Sequence, residues 1–402
     1  MSIRRARIAS TLLLAIAWSL AASAQTTEPP SLRSTVEDLT GFVGFSVASA
    51  IETATALEVA NAPFGSSAGG FVFKLDPATG LKVRSAPTFG PSFAERALTS
   101  GEGKVSFGTS LTVATYDKLN EFDLKQMTLL VTDGPTPAKK VTGLASMVLS
   151  SETAVVFTTI GATDNLDIAV AVPFVKVKLQ GTSWLQTPVQ VFEPNRGNIS
   201  SSGLGDIAIS AKYRFAKLKF GEGPPDPGGV AFLLTTRLPT GNRENFRGLG
   251  ITRVLGSVLI SGGKGKLRPH ANAGFEWWEK GLVVNNFTPS TNVTLRHQVQ
   301  YAAGVELDAG PKVTLLFDFL GRHVLGGGAV ALRGVALPPS SEFTSAELAE
   351  ATPTRIRKMT LAPGLKWNLK GTFVFSGNFL VTVLDNGLRD FFTPVVGVDW
   401  TF

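Results

Sequence analysis

From residue 103 onwards the chain alternates. In Lys104–Tyr116, Val105, Phe107, Thr109, Leu111, Val113 and Thr115 share one face, and Ser106, Gly108, Ser110, Thr112, Ala114 and Tyr116 the other. The same period of two runs through Asp206–Phe215, where Ile207, Ile209, Ala211, Tyr213 and Phe215 oppose Asp206, Ala208, Ser210, Lys212 and Arg214. Lys358–Leu369 and Thr372–Val383 repeat it. One face of each strand therefore meets an apolar medium and the other meets polar groups or water. Most runs reach the ~9–11 residues of a membrane strand, against ~5–6 for the usual soluble strand. The last run, Phe392–Phe402, puts Phe392, Pro394, Val396, Val398, Trp400 and Phe402 on one face. Such a strand suits an antiparallel barrel, which closes on itself and leaves no edge unpaired.

Counting back from Phe402 gives strands near 391–402, 371–384, 355–369, 311–324, 293–308, 266–280, 250–262, 228–238, 204–219, 165–180 and 151–163, with weaker ones near 139–149, 122–133 and 103–117. The fold expected is all-β: a transmembrane antiparallel β-barrel of about fourteen strands, or twelve if one hairpin within 118–151 does not span. Short and long connections alternate, as they do in outer-membrane barrels. Phe392–Phe402 is expected to pair with Lys104–Tyr116. No repeat of propeller length is visible.

Three regions follow. Residues 1–24 read as a signal peptide: Arg4, Arg5 and Arg7, an apolar run, then Ala22-Ser23-Ala24. Residues 25–102 are irregular, with one helical stretch at Phe45–Ala60 broken by Asn61, Ala62, Pro63, Phe64 and Gly65. This segment is about enough chain for an N-terminal plug or hatch in the lumen, with a periplasmic tail as the alternative. Residues 103–402 form the barrel. The compartment expected is the outer membrane of a Gram-negative type of bacterium, reached with a cleaved signal peptide.

Composition narrows the chemistry. The chain is 44% hydrophobic with 42 Gly and 27 Phe, which suits a barrel without any single window standing out. With 0 Cys, thiol catalysis, disulfides and thiolate metal sites are excluded. Taking Arg4, Arg5 and Arg7 from the 38 basic residues leaves 35 against 31 acidic, a net +4, too mild and dispersed to argue for nucleic acid. His270, His297 and His323 show no ligand-pair spacing, so no metal and no cofactor is expected. There is no nucleophile elbow, and Gly326-Gly327-Gly328 does not sit between a strand and a helix. The chain is not expected to be an enzyme; a hydrolase triad assembled across strands is the distant alternative.

Several motifs occur in order: Gly203-Leu204-Gly205-Asp206-Ile207, Lys212-Tyr213-Arg214-Phe215, Leu238-Pro239-Thr240-Gly241, Gly387-Leu388-Arg389-Asp390 and Thr393-Pro394-Val395-Val396-Gly397. Across 103–402 this order resembles the outer-membrane transporters of the MetA pathway of phenol degradation, related to the FadL class of long-chain fatty acid and toluene transporters. The resemblance implies a plugged fourteen-stranded barrel and passive uptake of hydrophobic or aromatic small molecules. A general polar porin is the alternative. The fatty-acid transporters carry Asn-Pro-Ala in the hatch; here Asn61-Ala62-Pro63 has the last two exchanged.

Candidate positions follow from the pattern. In Leu166–Leu179 the apolar parity flips at Pro173-Phe174, marking a bulge of the wall or a lateral opening; continuous ladder hydrogen bonding through 172–175 would rule the opening out. Lys212, Arg214, Arg253, Arg268, His270, Glu276 and Arg296 fall on the polar face, where they would anchor the plug or line a substrate path. Trp400 and Phe402 form a candidate signal for the barrel-assembly machinery. The partners expected are a hydrophobic small molecule, outer-membrane lipids and lipopolysaccharide.

Overall fold

The alternating segments form the wall of a closed barrel. The computed structural model describes residues 30–41, 45–63, 70–75, 82–84, 86–134, 136, 140–218, 228–263, 265–335 and 343–402. Residues 1–29, with the expected signal peptide, and Phe64 and Gly65 lie outside the described residues. The elements below all belong to the unit Leu32–Phe402.

Twelve strands close the circuit: β1 (Val105–Tyr116), β2 (Val141–Thr163), β3 (Leu166–Gln186), β4 (Ala208–Lys217), β5 (Gly228–Arg237), β6 (Arg253–Gly262), β7 (Leu267–Trp278), β8 (Val293–Asp308), β9 (Val313–Val335), β10 (Ser345–Lys370), β11 (Phe373–Asp385) and β12 (Phe392–Thr401). Each pairs antiparallel with the next. β12 returns to β1 in the register Val395↔Thr112 to Thr401↔Ser106, the closure expected from the sequence. The turns 164–165, 263–266, 309–312 and 371–372 mark a short-turn end, and 187–207, 238–252 and 279–292 a long-loop end.

The count is the lower of the two expected, and two segments explain why. The segments expected at 139–149 and 151–163 merge in one strand, the 23-residue β2, Val141–Thr163. Ser150-Ser151-Glu152 resembles a turn, yet it pairs residue for residue with Lys178, Val177 and Lys176, because β3 is long enough to carry it. Residues 122–133 supply Met127–Asp133, which bridges the outer parts of β2 and β10 without entering the circuit.

The outer face carries a belt of exposed apolar side chains, among them Leu111, Ile168, Phe232, Val258, Phe317 and Trp367. Solvent alone would not favour such a continuous belt, whereas bilayer hydrocarbon does. Among the described residues no helix is long and apolar enough to cross a membrane.

Towards the long-loop end β2, β3, β9 and β10 run 21 to 26 residues and outlast the belt. There the inner face turns apolar: Met147, Leu149, Val175, Val177 and Leu179 are buried against helices α1 (Leu32–Thr40) and α2 (Phe45–Ala60). Residue for residue, α2 keeps the bounds read from the sequence. It is buried on every side, as an apolar helix without a polar face must be.

Candidate functional site

The C-terminus of α2 points into the lumen, where two layers of charge face each other across a cavity. In the layer nearer the long loops, the Ala60 carbonyl accepts hydrogen bonds from Arg237 Nη1 and Arg253 Nη2, both at 3.1 Å. These guanidinium groups satisfy a carbonyl at the helix end and oppose the negative pole of its dipole. Arg253, fully buried, is also within 3.4 Å of Asp206 and 3.2 Å of Glu276. Glu276 in turn accepts from Trp278 Nε1 at 2.8 Å and from Gln298 Nε2 at 3.0 Å. Asn61 Oδ1 accepts from Arg253 and Gln298. Beside this set, Glu58 accepts from Arg322 and from Lys358 (2.8 Å), and Lys358 also reaches Asp390.

The second layer is built on residues 86–100, which run among inward side chains towards the short-turn end. The Ser100 N–H donates to both oxygens of Asp167 at 3.0 Å. Phe93 and Ala94 donate to Asp318 at 3.1 and 3.4 Å, and His270 Nε2 stands 2.8 Å from the other oxygen of that carboxylate. Lys212 lies 3.5 Å from Glu95 and 3.8 Å from Asp167. Lys366 Nζ donates to the Pro91 carbonyl at 2.9 Å. Buried charges without partners would cost several kcal/mol each, so such pairing is a condition of filling the lumen with chain.

Between the layers lies a cavity of about 280 Å³. Its wall is largely small and uncharged, with Thr112, Ala169, Ala171 and Ser257 beside Leu233, Leu259 and Leu380. Asn61, Ala62 and Pro63 lie on one side of it, and Phe93, Glu95 and the paired charges Glu58, Arg237, Arg322, Lys358 and Asp390 also line it.

The residues singled out in the sequence divide among several places. Arg253 and Glu276 meet in the first layer; Lys212 and His270 belong to the second. Arg214 and Arg268 are buried on the inner face towards the short-turn end. Arg296 is exposed on the outer wall. Its neighbour His297 has φ +45° and sits at a register shift, and this bulge turns Arg296 away from the face that Gln298 occupies. Pro173 is buried and Phe174 half-buried. On the β2 side the ladder runs unbroken, Val156↔Val172 to Thr153↔Val175. On the other side β3 pairs with β4 only as far as Ala171 and with Asn195–Leu204 only from Phe174; between them Gly205 donates to the Pro173 carbonyl at 2.8 Å. The parity flip in the sequence therefore needs no bulge in register with β2. Below Pro173 the outer face is apolar; above it the inner face is apolar and Lys176, Lys178 and Gln180 point outwards. Trp400 and Phe402 are 52% and 55% exposed on the outer face.

Sequence reading did not single out Glu58, Asp167, Arg237 or Glu95, whose partners come from distant strands. Asp206 was quoted in a motif, but without a role. The structure brings two of the motifs together: Thr240 Oγ1 donates to the Gly205 carbonyl at 2.6 Å and accepts from Ile207 N–H at 2.9 Å, and Gly241 donates to Asp206 at 3.2 Å. Among the described residues no group of three or more His, Cys, Asp or Glu is arranged to hold a metal ion.

Residues 131–312 match the family model described as "Putative MetA-pathway of phenol degradation". This stretch contains the 203–207, 212–215 and 238–241 motifs and stops before those at 387–390 and 393–397. No curated protein matches the chain. Among solved structures, an outer membrane channel from Pseudomonas putida F1 is similar at 11% identity over 76% of this chain and 98% of that one, with a TM-score of 0.47. The Ralstonia pickettii toluene transporter TbuX is similar at 11% identity over 75% and 90%, TM-score 0.34. A Pseudomonas aeruginosa FadL homologue is similar at 10% identity over 84% and 97%, TM-score 0.34.

Proposed function

We propose that this chain, an outer-membrane β-barrel of the MetA-pathway phenol-degradation type, admits hydrophobic or aromatic small molecules passively through a plugged lumen. The observation that carries the reading is the cavity: a chamber walled mostly by small and apolar side chains, whose lining charges, Glu58, Glu95, Arg237, Arg322, Lys358 and Asp390, are already held in ion pairs and hydrogen bonds. A chamber of this kind offers an apolar solute a favourable transfer from water, while an ion entering it would have to displace partners from the pairs that already engage its lining charges. Residues 25–102 are the plug in this reading, with α2 above the chamber and 86–100 below it. The short-turn end faces the periplasm and the long loops face outwards. Trp400 and Phe402, at the short-turn end, are offered to the assembly machinery. No chemistry is performed on the cargo, so acyl esters incubated with the purified protein should remain intact.

Release sideways through the wall is the finer part of the proposal. It is supported by the interval at Val172–Pro173, where β3 passes from one partner to the next and Pro173 lacks an N–H. Ala171 and Ala208 are opposed across this seam and both line the chamber. A disulfide between Ala171→Cys and Ala208→Cys should halt release, and reduction should restore it, in a chain with no other cysteine. Unchanged release from the oxidised protein would reject the lateral route.

The test of the main reading is uptake by whole cells of a fluorescent aromatic cargo and of a charged sugar. Wild type should favour the aromatic. Ala169→Trp, which fills the chamber, should abolish that preference while the protein still folds. Equal uptake of both cargoes by wild type would point to a general polar porin instead.

A further inference from the structure

Three arginines stand near one another on the outer wall, Arg296 on β8 and Arg355 and Arg357 on β10, just above the apolar belt. On β10 the exposed Trp367 and Leu365 belong to the belt, and further along the same face come Arg357 and Arg355, both exposed. On β9 the belt residues Leu315 and Phe317 lead to His323, which is directly opposite Arg357. On β8 Val299 is opposite His323, and Arg296 follows beyond it, opposite Leu325.

Two irregularities place these cations. The bulge at His297 turns Arg296 outwards, although strict alternation with Gln298 and Gln300 would send it into the lumen. A non-glycine residue at φ +45° is an uncommon conformation, and bulges of this kind re-aim a side chain. His297 is held by accepting from Trp278 N–H at 3.0 Å. In β9 the register shifts between Val324 and Gly328, and Arg355 pairs at that step.

Among the residues whose side chains are described, a set that leaves out Asp385, no carboxylate lies within 4.0 Å of Arg296, Arg355 or Arg357. Like charges on neighbouring strands repel. Elsewhere on the outer wall a lysine is neutralised, with Lys178 2.8 Å from Glu152. The unneutralised cluster lies where an outer-leaflet headgroup would meet the barrel. The inference therefore rests on the reading that the long-loop end faces outwards.

We propose that Arg296, Arg355 and Arg357, with His323, bind the phosphate groups of a phosphorylated, acylated glycolipid of the outer leaflet. Its acyl chains would lie along the belt below, over Val299, Leu365 and Trp367. Guanidinium suits this role because its fixed donors match phosphate oxygens.

The test is native mass spectrometry of the full chain with lipid A as the probe. Wild type should retain lipid A and bind dephosphorylated lipid A weakly. The variant Arg296→Gln/Arg355→Gln/Arg357→Gln should bind lipid A about ten-fold or more weakly, because several charge-assisted hydrogen bonds are lost. The paired site serves as control, and Lys176→Gln/Lys178→Gln should bind as wild type does. Should the triple variant misfold, Arg296→Gln alone, at an exposed position, should still weaken retention measurably. Equal retention by the arginine variants, equal binding of the dephosphorylated lipid, or an equal loss in the lysine control would each overturn the proposal. Labelling of Gln190→Cys on intact cells reports the orientation separately. Labelling only after lysis would show that the orientation has failed, and the lipid site with it; labelling of intact cells with unchanged lipid retention would remove the lipid site alone.

Discussion

Arg253 joins more of the lumen than any single pair would indicate. Its guanidinium meets Asp206 on the wall, Glu276 on the next strand, and both the Ala60 carbonyl and Asn61 at the end of α2. Removing one partner from a buried ion pair typically costs about 3–5 kcal/mol, because the remaining charges stay buried. Arg253→Ala should therefore lower unfolding stability in urea by about that amount, whereas Arg214→Ala, outside this set, should leave α2 in place. Loss of less than ~1 kcal/mol would mean that water or Arg237 compensates. A gentler test lies at Gly248, where an added Cβ would stand 2.2 Å from Asp206 Oδ1. Gly248→Ala should cost about 1–3 kcal/mol by displacing that carboxylate. The period of two made Arg253, Glu276, Lys212 and His270 legible as inward residues. Their partners were not legible, since Asn61 and Glu95 reach Arg253 and Lys212 only because of where the preceding segment runs.

Elements show how one alternating pattern can carry two environments. β3 keeps its alternation from Leu166 to Gln186, yet its apolar face changes sides at Pro173. The sequence offers a bulge as the explanation; the strand instead leaves the belt and begins to cover α1 and α2. That helical core was only half visible: Phe45–Ala60 showed helical spacing, but Leu32–Thr40 did not stand out. Its stability should depend on acidity through Glu52. Burial pushes the Glu52 carboxyl above its usual 4.5, and Arg243 at 3.2 Å and Arg33 at 3.4 Å only partly offset this. The folded chain thus holds this proton more tightly than the unfolded one. The resulting stabilisation is complete below the unfolded value and disappears as pH rises through the raised one. Melting temperatures of wild type and Glu52→Gln, followed from acid to neutral pH, should diverge as pH rises, with wild type losing more. Parallel curves would acquit the carboxyl. At the same core, Leu57→Ala should cost about 2–5 kcal/mol, read as earlier proteolysis of α1 and α2.

At the scale of the whole molecule, closure and plugging are separate properties. Closure was legible, because Phe392–Phe402 had to find an edge and Lys104–Tyr116 supplied one. The strand number was less so, since the pattern divides near residue 150 and only the length of β3 shows that the two halves are one strand. The filling of the lumen was legible only as an amount of chain. Its attachment now yields a measurable consequence. Residues 93–100 are tied to the wall through Asp167 and Asp318, which accept backbone N–H groups of Ser100, Phe93 and Ala94. Asp167→Ala/Asp318→Ala removes those ties and leaves the twelve-strand circuit untouched. In planar bilayers wild type should give small, infrequent currents, because ions meet both the plug and a chamber whose charges are already paired. The double variant should conduct several-fold more, with openings that flicker as the segment moves. A large steady current from wild type, unchanged in the variant, would mean that the lumen is already open. The chamber would then be a widening in a polar pore, and its lining would have no bearing on which molecules pass.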